Sequence, residues 1–154
     1  MRMRRGLHVS FWLEADIRVE QHCVAAIASI DAPNWANIPD MIDPRTVVER
    51  QLRAYNERDL DRWLATYHRD AEQVLADGTL LARGREQLGQ RMRLRFGDPH
   101  LHAAVLHRIV VSSTVVDHER VTRSGPNGIE VVEMICVYFV RDGEIVRATF
   151  AYGG

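Results

Sequence analysis

Lysine is missing from this chain: all 20 basic residues among its 154 are arginine. Its absence excludes any mechanism that needs a lysine amine, such as a Schiff base; its cause reads as a GC-rich coding bias. Cysteine is scarce. Cys23 and Cys136 lie far apart and match no metal or redox spacing, which points to a reducing, cytoplasmic setting. Neither sign of charge dominates: the net charge of −1 provides no global field to draw in nucleic acid or an anionic membrane. No apolar run approaches the ~18 residues of a membrane span. The start "MRMRRGLHVSFWLEADIR" is basic like a signal peptide, but His8, Glu14 and Asp16 break its apolar stretch and no small-residue cleavage site follows. No phosphate-cradling glycine loop, nucleophile elbow or zinc motif is present. The expectation is a chain without cofactor or metal, with no nucleic-acid or membrane partner.

What is there suits one globular domain. The hydrophobic fraction is 46% and the charged fraction 27%, and the length is sufficient to bury a real core. Residues 1–42 differ from the rest. A helix is expected from about Trp12 to Ile30, followed by the linker "DAPNWANIPD". Two readings stay open: Met41 is the natural start, or the extension is a helix that docks on the domain or on a second subunit. The domain proper is expected over 43–154.

Within it, Asp43 and Pro44 open a helix with Val47, Val48, Gln51, Leu52 and Tyr55 at three-to-four spacing. Asp59 caps a second, whose face is Leu60, Trp63, Leu64 and Tyr67. "AEQVLADGTLLARG" reads as a hairpin about Asp77-Gly78. A third helix runs from about Arg85 to Phe96, with Leu88, Met92 and Phe96 on its apolar side. Four strands follow, at about 101–111, 114–123, 129–140 and 144–152, with turns at "VSST", "SGPNG" and "RDGE". Helices first and a meander after read as α+β. The strand "IEVVEMICVYFV" is apolar on both faces apart from Glu130 and Glu133, so it is expected to be central and covered on both sides. The helices would cover one side and a second copy of the chain the other, which makes a homodimer through the sheet.

The strings "QLRAYNERDLDRWLATYHRDAEQVL", "ARGREQLGQRM" and "VEMICVYFVRDGEIVRATFAYG" resemble the nuclear-transport-factor-2-like superfamily, which includes ketosteroid isomerases and SnoaL-type polyketide cyclases. The resemblance spans about 44–152. It implies a cone-shaped, curved antiparallel sheet packed on three helices around a ligand pocket. It does not carry over the ketosteroid isomerase chemistry, which needs a carboxylate base with a Tyr and a protonated Asp as oxyanion hole. Gln51 stands at the position of that Tyr, Leu75 near that of the base, and Cys136 at that of the protonated Asp. A two-residue slip would bring Asp77 to the base position. Tyr67 matches a supporting pocket Tyr.

Strand alternation sorts the candidates by face. With Cys136 inward, Val132, Met134 and Tyr138 share its face, as do Ala148, Phe150 and Tyr152 on the last strand. Asp117, Glu119 and Val121 then point inward and His118 and Arg120 outward; a one-residue slip exchanges the sets. An inward Asp117/Glu119 pair would have raised pKa values and suit acid/base work, with Tyr67 as hydrogen-bond donor. The bland reading pairs both acids with arginines. In the alternative phase His118 is the base and Arg120 binds an anion. Tyr55 and Trp63 serve core packing or ligand contact. His100 and His102, with His107 or His118, lack a further metal ligand at typical spacing. The arginines from Arg83 to Arg95 read as a solvated face, without aromatic interleaving for nucleic acid. The expected function is binding of a small apolar organic ligand, with cofactor-independent isomerase, cyclase or hydrolase activity or with none.

Overall fold

Asp43 accepts a hydrogen bond from Arg45 N at 2.9 Å and Pro44 fits the first turn, so helix α1 spans Pro44–Glu57. The structure is a computed structural model that describes residues 42–153; the helix expected over Trp12–Ile30, Cys23 and the two readings of Met41 lie outside the described residues. Helix α1 buries Val47, Val48, Gln51 and Ala54. Arg58 ends it in the left-handed region, at φ 56°, and its N–H returns to the carbonyls of Ala54 and Tyr55. Asp59 at once caps α2, Leu60–Ala65, by accepting from Arg62 N at 3.0 Å.

The sequence pattern carries α2 through Tyr67, but the structure ends it at Ala65 and starts strand β1, Tyr67–Leu75. Tertiary hydrogen bonds explain the difference. Thr66 Oγ1 donates to Trp63 O at 2.7 Å, Thr66 O accepts from Ile145 N at 2.8 Å, and the Arg85 guanidinium donates to Tyr67 O at 2.9 and 2.6 Å. Those carbonyls are satisfied by partners outside the helix, so another helical turn has nothing to offer them.

Strand β1 turns at Asp77-Gly78 into β2, Leu80–Arg83, and Gly84, at φ +75°, swings the chain into α3, Gly84–Phe96. Four strands follow: β3 His102–Val111, β4 Thr114–Gly125, β5 Gly128–Arg141 and β6 Glu144–Tyr152. Asp142 and Gly143 both take positive φ, 51° and 78°, the geometry of a primed hairpin turn between β5 and β6. The six strands make one curved, open sheet in the order β2-β1-β6-β5-β4-β3. All neighbours are antiparallel except β1 and β6, a parallel pair that the meander reading does not contain.

The three helices cover the concave face. Asn56 of α1 ties itself to β3 by accepting from Ala103 N at 2.8 Å and donating to Ala103 O at 2.9 Å. Trp63 packs against Tyr67 with ring centroids 4.4 Å apart, and both are buried with Val47, Leu88, Val115 and Ile145. Strand β5 is interior to the sheet, as expected, with Met134, Cys136 and Tyr138 buried beneath the helices. Its other face is not covered by the described residues: Val131 is 57% exposed and Ile135 and Phe139 are each 38% exposed.

Candidate functional site

A cavity of about 50 Å³ lies between the helices and the concave sheet. Its apolar walls come from Leu52, Met92, Val121, Met134 and Phe150, with the rings of Tyr55, Trp63 and Tyr138. Its polar groups are few. Glu119 and Tyr67 are buried; Arg91 and Arg95 are half-buried, and Tyr152 is 42% exposed, which sets these last three toward solvent.

Among the described residues, Glu119 is the only carboxylate that lines this cavity. Strand alternation turns it inward from β4, where it is 5% exposed and sits opposite Met134 of β5. Tyr138 donates its hydroxyl to Glu119 Oε1 at 3.2 Å. Burial, and next the nearby Asp117 charge, push the Glu119 carboxyl up to about 7. Near neutrality it therefore exists in both protonation states. The same burial pushes the Cys136 thiol and the Tyr67 and Tyr138 phenols upward, so all three stay protonated. Gln73 Nε2 donates to the Tyr67 hydroxyl at 3.4 Å. Among the described residues, the Trp63 indole N–H is buried without a hydrogen-bond partner.

Asp117 shares the inward face but does not line the cavity. The Arg108 guanidinium, opposite it on β3, donates to both its oxygens at 2.6 Å, and Glu49 flanks the same arginine at 3.3 Å. The expected carboxylate pair is thus divided, with Asp117 paired to an arginine and Glu119 left to the cavity. His118 and Arg120, the alternative inward pair, lie on the opposite face. There both contact Glu133, at 3.4 and 2.7 Å, and His118 stacks on His107. Cys136 and Gln51, at the positions of the isomerase oxyanion hole, do line the cavity. Asp77 does not: it sits in the β1–β2 turn and accepts from Thr79 N at 2.9 Å. His100 contacts Ser124 at 3.1 Å, and no group of three or more His, Cys, Asp or Glu gathers around a metal position among the described residues.

Two charged lining residues escape a sequence reading: Arg91 and Arg95 of α3. Their signal is the four-residue spacing beside Leu88 and Met92, which sets both on the edge of the buried stripe. It is masked by Arg93, one step away on the exposed side.

The profile of the SnoaL-like domain matches residues 48–148. The chain belongs to the SnoaL-like domain family. No curated protein matches it. Solved structures agree with this SnoaL-like domain in fold. An uncharacterized cystatin fold protein from Novosphingobium aromaticivorans is 23% identical, with TM-score 0.67 over 71% of this chain and 98% of its own. A putative SnoaL-like polyketide cyclase from Jannaschia sp. is 21% identical, with TM-score 0.59 over 70% and 85%. TerC, co-crystallized with polyporic acid, is 15% identical, with TM-score 0.62 over 71% and 91%. Nuclear-transport-factor-2-like and ketosteroid-isomerase-like folds also recur among the matching structures. No helix of the described residues is long and apolar enough to cross a membrane.

Proposed function

We propose that this SnoaL-like domain is a cofactor-independent enzyme that transfers a proton on a small organic substrate, with Glu119 as acid and base. One observation carries the reading: a buried carboxyl with a pKa of about 7, the only carboxylate lining the cavity among the described residues, is fixed there by the Tyr138 hydroxyl. A group of that pKa at neutral pH is populated as acceptor and, once loaded, is acidic enough to return the proton. Tyr67 and the Trp63 N–H would donate to the substrate oxygen on which charge develops. Asp117 acts through Glu119 by its charge and does not touch the substrate. This differs from steroid isomerisation, because Gln51 and Cys136 supply no second acidic donor of the required kind.

The test is solvent deuterium uptake by a panel of enolisable ketones, followed by proton NMR. The wild type should speed exchange on at least one ketone. Glu119→Gln should lose that acceleration about 100-fold or more, the scale of a missing general base, with binding unchanged. Exchange that survives in Glu119→Gln sinks the acid/base assignment. Ketones that bind to the wild type without exchange favour the other reading, a non-catalytic ligand-binding module.

A homodimer through the outer sheet face is part of the same proposal, supported by the exposed Val131, Ile135 and Phe139 on a central strand.

A further inference from the structure

Arg91 and Arg95 stand one helical turn apart on α3 and both line the cavity. Neither has a carboxylate within 4.0 Å among the described residues, whereas Arg108, whose side chain is also largely removed from water, has two, Asp117 and Glu49. The hydrogen bond that Arg91 makes is a long one to a neutral acceptor, Gln73 Oε1, at 3.4 Å. Their other neighbours are the hydroxyls of Tyr55 and Tyr152. Burial and then the Arg95 charge hold the Arg91 guanidinium below its ordinary pKa, whereas Arg95, against its burial, is raised by the neighbouring Tyr55 and Tyr152 hydroxyls; the cost of the pair falls on Arg91. An anion placed between them would reverse that cost.

The deeper part of the cavity also favours acceptors. The Trp63 N–H is buried and unpartnered among the described residues, and the neighbouring phenols and thiol keep their protons. Among the described residues, no fixed negative charge offsets the arginines inside the cavity, because Glu119 is only partly ionised at neutral pH. Apart from Gln51 and Gln73, the remaining walls are apolar and aromatic.

We infer that the ligand is a small carboxylic acid with a flat apolar body, its carboxylate held by Arg91 and Arg95 at the mouth and its far end presented to Glu119. A guanidinium meets a carboxylate through two parallel N–H···O bonds, which fixes orientation as well as charge. The inference rests on the proposed reading of this cavity as a small-molecule site, and gives that site a polarity: anion at the mouth, proton transfer at the base.

The test uses matched acids and amides, which share a carbon frame and differ in charge: benzoate and benzamide, trans-cinnamate and trans-cinnamamide, 2-naphthoate and 2-naphthamide. Each is titrated against the full chain by saturation-transfer NMR at neutral pH. For the pair that fits best, the acid should bind about 10-fold more tightly than the amide, the scale of a charge-assisted hydrogen bond. The double variant Arg91→Gln/Arg95→Gln should close that gap to about threefold or less by weakening the acid, with an unchanged far-UV circular dichroism spectrum showing that the variant is folded. Amides that bind as tightly as acids in the wild type overturn the inference and spare the small-molecule reading. An acid preference that persists in the double variant overturns the assignment to these arginines. If no member of any pair binds, the inference and the small-molecule reading fall together.

Discussion

A carboxyl that holds its proton more tightly in the folded chain than in the unfolded one ties stability to pH. Glu119 is such a group, raised from an ordinary 4.5 to about 7. Its contribution is fully present below about 4.5 and is lost as pH rises through about 7. Removing the ionisation should therefore help at high pH only. Glu119→Gln is expected to raise the melting temperature at pH 8 and to leave it nearly unchanged at pH 5, with a gain of at most about 3 kcal/mol. Thermal scans at the two pH values check this, and equal effects at both would contradict a raised pKa. Asp117 behaves differently, since its charge is matched by the half-buried Arg108. Asp117→Asn leaves that guanidinium with the exposed Glu49 alone and should cost about 3 kcal/mol in urea unfolding. It should also lower the Glu119 pKa, which a carboxyl-carbon NMR titration reads directly. Period-two alternation assigns both acids to one face, but alternation says nothing about which of them meets an arginine across the strand pair. That depends on the β3–β4 register, in which Arg108 falls opposite Asp117. The same limit hides Arg91 and Arg95, whose place in the cavity follows from how α3 docks.

At the scale of elements, local signals suffice where the deciding contacts are local. Asp43 and Asp59 cap their helices through their own side chains, and Asp142-Gly143 forms the turn that its dihedral preferences favour. The end of α2 is not legible in the sequence, because Thr66 and Tyr67 leave the helix for Ile145 and Arg85, which are remote along the chain. The parallel pairing of β1 with β6 is hidden for the same reason. Helix α1 is held at the cavity by one side chain that reads both backbone groups of Ala103. Asn56→Ala strands that N–H and carbonyl, and should cost about 1–3 kcal/mol in urea unfolding. Asn56→Asp, which keeps the acceptor alone, should cost less; an unchanged midpoint for Asn56→Ala would show that Ala103 finds other partners.

For the whole molecule, the apolar strand β5 is legible as interior to the sheet, since few strands can be apolar on both faces without cover. What covers its outer face is not written in one chain. If a second copy does, the protein should sediment as a dimer, and Phe139→Glu should shift it to monomer without changing its far-UV circular dichroism. A wild type that sediments as a monomer at all accessible concentrations removes the dimer from the proposal.

The position of β6 also governs the order in which the sheet can be completed during synthesis. Among the described residues, the last strand made lies between β1, the first, and β5, so the hairpin β1–β2 and the β3–β5 meander remain separate pieces until residues 144–152 leave the ribosome. Until then each piece presents an open strand edge, the kind that pairs with neighbouring chains. Nascent chains stalled before Glu144 should therefore be protease-sensitive and prone to aggregate, and the cavity can close only after its final wall, Phe150 and Tyr152, has been translated.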